Sequence, residues 1–171
     1  MKSTKIKFNA VLIVFILLNI PLVSYAQNEL NFILGNWDLK VKTYTESVIT
    51  NTLAEVNGKF ILDQKAIQSD LRSIYDETPF FWSTSILTLD ESNNWIIHWI
   101  PANSATFSYA TANFVGNDFV GTGDGVDLNG EYKLKFKYFN INDDSYSFES
   151  QISYDDGRTW SQSQEITAVR K

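Results

Sequence analysis

Few side chains in this sequence are equipped for chemistry. His98 is its one histidine and it has no cysteine. A zinc centre built from imidazoles or thiolates, a thiolate nucleophile and a disulfide framework are therefore excluded. His98 by itself retains two active roles, general base beside a carboxylate or axial ligand to a haem. The plain alternative is a strand histidine, since a singleton outside any motif lacks the companions that catalysis needs. Asp118, Asp124 and Asp127 lie in NDFVGTGDGVDLNG. Oxygen-rich loops bind calcium and paired carboxylates cleave glycosides, but this spacing matches no ligand frame. Gly121, Gly123, Gly125 and Gly130 make the stretch read as a mobile, hydrated loop at a mouth. Those glycines also lack the lysine and following helix of a phosphate cradle. No catalytic residue and no metal ligand is assigned.

The aromatic residues carry more information. Trp82, Trp95, Trp99, Tyr109, Tyr132, Phe136, Tyr138, Phe148 and Trp160 all fall in segments that read as strands. Strict alternation puts Gln162 and Gln164 on the face of Trp160 and Ile166, and Ser150 on the face of Tyr146, Phe148 and Ile152. Polar groups on an apolar face need partners, and a ligand supplies them. Trp99, Tyr109, Phe136, Tyr138, Phe148, Gln162 and Gln164 are accordingly the candidate lining of a cavity. The competing reading has these strands twisting to the surface at the polar positions.

The elements that must hold these residues are strands. Residues 37–43 set Trp37, Leu39, Val41 and Thr43 against Asp38, Lys40 and Lys42; residues 131–138 set Tyr132, Leu134, Phe136 and Tyr138 against Glu131, Lys133, Lys135 and Lys137. Further alternating segments lie near 48–56, 59–68, 80–90, 94–100, 105–114, 118–122, 145–153 and 158–170. Turns are expected at Asn57-Gly58, Glu91 to Asn94, Gly116-Asn117, Asn129-Gly130, Asn142 to Asp144 and Asp155 to Gly157. The connector 69–79 is ambiguous, with Asp70 placed to cap one helical turn before Pro79. Strand 94–100 is apolar on both sides, which calls for an outer cover from that connector or from a second subunit. The fold class is all-β: a single antiparallel up-and-down barrel of roughly 8 to 10 strands, closed because closure removes exposed edges.

Residues 1–26 read as a secretory signal peptide and 27–171 as the barrel domain. Lys2, Lys5 and Lys7 precede an apolar run that is interrupted by Asn19 and Pro21 and ends on Ser24-Tyr25-Ala26. That run is too short and broken for an anchoring span of about 20 apolar residues. Cleavage after Ala26 leaves 11 basic against 20 acidic residues, net −9. Nucleic acid and an acidic membrane surface are excluded as partners by that charge. An exported protein, periplasmic or secreted and without a lipid anchor, is expected.

Phe32-Ile33-Leu34-Gly35-Asn36-Trp37 resembles the Gly-x-Trp opening of lipocalin and calycin barrels. With Leu89-Asp90, Trp95 to Trp99 and SYDDGRTW at 153–160, the chain is similar to a bacterial domain-of-unknown-function family of lipocalin-like barrels related to the nitrobindins. The resemblance implies that Trp37 plugs the closed end and that Arg170 packs over it, a cation–π contact worth roughly 0.5–2 kcal/mol. It also brings haem into view, but the late-chain histidine of nitrobindins has no counterpart in RTWSQSQEITAVRK, so no cofactor is expected. Ser153, Asp155, Gly157, Thr159 and Trp160 fit the Asp-box of sialidase propellers; one copy cannot build several blades, so they are read as a hairpin motif.

The function expected is an exported small-molecule binding protein, holding an apolar or aromatic ligand as monomer or homodimer. Two alternatives stand beside it: a barrel-mouth isomerase or hydrolase using His98 with a carboxylate, and an envelope module docking protein or glycan.

Overall fold

Tyr132, Leu134, Phe136 and Tyr138 alternate with one acid and three lysines, a pattern that only an extended strand with one wet face accommodates. Repetition of that pattern fixes the architecture. The computed structural model describes residues 29–45, 47–102 and 108–171; the expected signal peptide, with its cleavage site, and residues 105–107 of the expected sixth strand fall outside them. Ten strands follow a short 3-10 turn at Asn31–Ile33: β1 (Gly35–Tyr44), β2 (Ile49–Ile61), β3 (Ala66–Tyr75), β4 (Thr78–Leu89), β5 (Trp95–Pro101), β6 (Ser108–Val115), β7 (Asp118–Asp127), β8 (Gly130–Phe139), β9 (Ser145–Ser153) and β10 (Ser161–Arg170). Each pairs antiparallel with its sequence neighbours, and β1 pairs with β10 to close the ring.

The register defines two ends. The base carries the turns at 62–65, 90–94, 116–117 and 140–144, and the mouth those at 76–77, 128–129 and 154–160. The base is sealed with aromatic residues. Phe32, delivered by the 3-10 turn, meets Tyr138 and Tyr146 edge-on at 5.6 Å and Phe114 and Phe119 at 6.4 Å. Trp37, fully buried, meets Tyr146 at 4.9 Å. Edge-to-face pairs each contribute about 0.5–1.5 kcal/mol beyond simple burial, so the plug is a major anchor of the fold.

Three expectations are corrected here. Asn57-Gly58 is not a turn: β2 runs through it, and Gly58 pairs with Gly35 on one side and Ser69 on the other. A β-carbon at Gly58 would collide with the Ile33 carbonyl, so this glycine serves the close passage of the entering chain. The real turn follows at Leu62, Asp63 and Gln64, all with positive φ. The connector 69–79 holds no helical turn; it is β3, a two-residue hairpin through Asp76 and Glu77 at φ 49° and 60°, and the start of β4. Since it is barrel wall, it does not cover β5. The glycine-rich stretch 117–130 is β7 rather than a loop at the mouth, and its acids are spread out, with Asp118 at the base end and Asp127 at the mouth end.

Candidate functional site

The interior space follows from an uneven distribution of side-chain size. On β6 and β7 the inward positions are Ser108, Ala110 and Ala112 beside Gly121, Gly123 and Gly125. Gly121 pairs with Ala112, and Gly123 with Ala110. A β-carbon at Gly121 would overlap the Phe136 ring, and one at Gly125 would overlap Tyr132. The glycines are thus the floor on which the β8 aromatics lie, and the barrel's bulk comes from β8 and β9. A cavity of about 300 Å³ remains inside, lined by Leu71, Ile97, Trp99, Leu134, Phe136, Tyr138, Phe148 and Ile166 with Ser69, Ser83, Ser85, Ser108, Ser150, Ser163 and Gln164 among them. That volume lies at the lower end for small-molecule sites. A larger furrow lies on the outer wall over Thr111, Thr122, Lys135 and Gln151 and is more open than the interior cavity.

Of the residues expected to line a cavity, Trp99, Phe136, Tyr138, Phe148 and Gln164 do so. The Phe136 and Phe148 rings stack at 6.0 Å, and Tyr138 meets Phe148 at 4.8 Å. Tyr109 is among the lining residues too, whereas Gln162 is corrected. Tyr109 borders the cavity at its rim, but Ser108 and Ala110 on either side take the inward positions. Its ring is 45% exposed and lies 5.6 Å from that of His98. Gln162 is turned out by a β-bulge: it pairs with Gln151 while Gln164 pairs with Ser150, so Ser163 is the extra residue. A bulge reverses the alternation. Gln162 then accepts a hydrogen bond from Gln151 at 3.3 Å, and Trp160 sits outside with the Lys135 ammonium 4.2 Å from its ring.

His98 lies between the cavity-lining Ile97 and Trp99 and therefore faces outward, paired with Ile86 and Tyr109. The enzymatic reading that places it at the barrel mouth beside a carboxylate loses its geometry. Sequence reasoning singled out Ser150 but missed Ser69, Ser83 and Ser85. Ser83 and Ser85 in STSIL, and Ser69 in QSDL, alternate with apolar residues just as the aromatics do, and that alternation was the available signal. Ser69 pairs with Ser85, Ser85 with Trp99 and Trp99 with Ser108, so hydroxyls flank the indole on both sides.

Burial keeps the cavity uncharged. It pushes the Tyr138 phenol up to about 12, and it raises Tyr146 further, with Tyr138 beside it adding to the effect; both stay neutral. At the mouth, Asp155 accepts from the Thr159 hydroxyl at 2.6 Å, the Thr159 amide at 2.8 Å and Ser153 at 2.7 Å. These bonds hold its carboxyl down to about 2, with Thr159 the largest cause. Gly157 at φ 87° turns the chain, its amide donating to Ser153 at 2.8 Å and its carbonyl accepting from the Trp160 indole at 3.0 Å. The Asp-box residues are one self-contained hairpin.

No family profile matches this chain, and no curated protein matches it in sequence. Its backbone is similar to that of Rv2717c from M. tuberculosis, with a TM-score of 0.61 over 86% of this chain and 98% of that one at 12% identity. It is also similar to the S-type phycobiliprotein lyase CPES from Guillardia theta, with a TM-score of 0.58 over 88% and 97% at 11% identity. The fold is calycin-like. Identities this low speak for architecture alone.

Proposed function

We propose that the protein is an exported small-molecule binding protein that holds an apolar or aromatic ligand inside its barrel, by burial and a few hydrogen bonds, without bond-making. The observation that carries this reading is the cavity inside the barrel, apolar in its body and set with serine hydroxyls and the Gln164 amide. Apolar surface drives a ligand in at roughly 25 cal/mol per Å² removed from water, and the polar groups orient it. The likeness to a phycobiliprotein lyase adds support, since that name implies a barrel that handles a small molecule. Affinity with the nitrobindin-related barrels belongs to the same reading and rests on Gly35, Trp37 and Arg170. The basic, apolar and small-residue sections of residues 1–26 support export to the periplasm or beyond. Exposure of the purified protein to a metabolite extract, followed by mass spectrometry of what it retains, tests the reading. Recovery of a defined compound supports it, and a protein that retains nothing counts against it.

A second reading is favoured by one observation. Tyr75, Phe80, Phe81 and Trp82 are all 45% exposed or more at the mouth end of β3 and β4, with Phe80 and Trp82 stacked at 6.2 Å. Exposed aromatics of this kind suit docking of an envelope protein or glycan. A homodimer through the apolar outer positions of β5 is also compatible, and Ile100 there is 39% exposed.

A further inference from the structure

The cavity has a polarity pattern that narrows the class of ligand. Ser83 and Ser150 are buried, at 1% and 4% exposure, and both line the cavity. Neither hydroxyl has a hydrogen-bond partner among the described residues. Ser83 stands on β4 and Ser150 on β9. In the closed ring β1-β10-β9-β8-β7-β6-β5-β4-β3-β2 those strands are five places apart out of ten, so the hydroxyls stand on opposite walls. Each is reinforced on its own side. Ser85 lies two residues beyond Ser83 on the same inward face, and Gln164 pairs directly with Ser150. Between the two walls the lining is mostly aromatic and aliphatic, with Trp99, Phe136, Tyr138 and Phe148 among it and Ser108 beside Trp99.

Charge is missing from the interior and unfavourable to anions at its mouth. None of the described residues that line the cavity is an aspartate, glutamate, lysine, arginine or histidine: they are serines, one glutamine, tyrosines and apolar residues. The mouth turns and strand ends carry Asp76, Glu77, Asp127, Glu131, Asp155 and Asp156, against Arg158 in the 154–160 turn. The nearby Lys133 is already engaged by Asp156 at 3.2 Å and Asp124 at 3.7 Å. A carboxylate entering this barrel meets like charge first and finds no cation inside to compensate its lost hydration.

Resting on the ligand-binding reading, we propose that the cavity selects neutral, flat molecules that carry hydrogen-bonding groups on opposite edges, and rejects anions of the same shape. The aromatic lining takes the faces of the ligand; Ser83 with Ser85 takes one edge, and Ser150 with Gln164 the other. A hydroxyl or carbonyl at each edge satisfies groups that an all-carbon ligand leaves unpaired. A site built this way discriminates strongly against the analogue that lacks the hydroxyl.

Three probes of one shape test this at neutral pH: naphthalene, a naphthalenediol with hydroxyls on opposite edges, and the matching naphthalenedicarboxylate. Their affinities are read by quenching of tryptophan fluorescence. The diol is expected to bind at least about fivefold more tightly than naphthalene and at least about fivefold more tightly than the dicarboxylate. A smaller ratio in either comparison overturns the proposal while leaving ligand binding itself intact. If none of the three binds, the ligand-binding reading falls and takes this one with it. In the double variant Ser83→Ala, Ser150→Ala the advantage of the diol over naphthalene is expected to disappear. Persistence of that advantage would show that other groups confer it.

Discussion

The guanidinium of Arg170 lies across the indole of Trp37, its central carbon 4.1 Å from the ring centroid. Its Nη1 donates to the Leu34 carbonyl at 2.8 Å and its Nε to the Asp143 carbonyl at 2.6 Å. One side chain thereby ties the closing strand to the entering chain and to the β8–β9 turn. The two residues are also register partners across the seam between β1 and β10.

Because a lysine can supply charge but not this planar fork, Arg170→Lys is expected to recover little of what Arg170→Ala loses. The alanine variant should be less stable by about 2–4 kcal/mol, combining the cation–π contact with charge-assisted hydrogen bonds. Urea unfolding followed by tryptophan fluorescence checks this. An alanine variant indistinguishable from the parent would mean that the seam does not depend on Arg170.

Gly58 and Gly116 make a contrast for alanine substitution. At Gly58 the obstacle is backbone, the Ile33 carbonyl, which cannot swing aside; at Gly116 there is open space and only a φ of 65° to strain. Gly58→Ala should cost more than about 3 kcal/mol or prevent folding. Gly116→Ala should cost about 1–2 kcal/mol. Thermal unfolding of the two variants ranks them, and equal losses would refute the steric account.

The hairpin at 153–160 should open in acid before the rest of the barrel. Asp155 has a folded pKa held down to about 2 from an ordinary 3.8. Its ionised form is therefore the one the fold prefers. The stabilisation is complete above pH 3.8 and drains away as the pH falls toward 2. Trp160 reports this directly, because its indole bonds to Gly157 within the same turn. In Asp155→Asn the acid transition of that signal should vanish, and an unchanged transition would assign it elsewhere.

Adjacent residues on β5 should have opposite importance. Trp99→Ala is expected to weaken ligand binding by roughly tenfold or more, through loss of a large aromatic contact. His98→Ala should leave affinity within about twofold, because its ring packs on Tyr109 outside the wall. Calorimetric titration of both variants with the retained ligand settles the order. A large loss at His98 would restore it to the functional site.

What the sequence makes legible depends on uninterrupted alternation. Residues 131–138 and 37–43 carry charge on every second position, so their faces can be assigned without coordinates, and Phe136 and Tyr138 fall inside as expected. Gln162 cannot be placed that way. One extra residue at Ser163 inverts everything before it, and nothing in SQSQ marks where the ladder slips. A similar slip lies opposite Leu71 and Arg72, where Ser83 and Phe81 are the partners and Trp82 is skipped. Asn57-Gly58 misleads for another reason: the glycine answers to a carbonyl from a distant segment, a constraint invisible in its own neighbourhood. Ser69, Ser83 and Ser85 escape notice, unlike Ser150, because a hydroxyl reads as solvent-facing until a closed ring places it indoors.

The thin wall of β6 and β7 separates two properties that most binding sites confound. Ser108, Ala110 and Ala112 with Gly121, Gly123 and Gly125 govern how much room there is, whereas Trp99, Ser83, Ser150 and Gln164 govern what is welcome in it. Capacity and taste are thus encoded on different strands. Related chains can widen or narrow the chamber by methyl-sized steps on one side without rewriting the chemistry on the other.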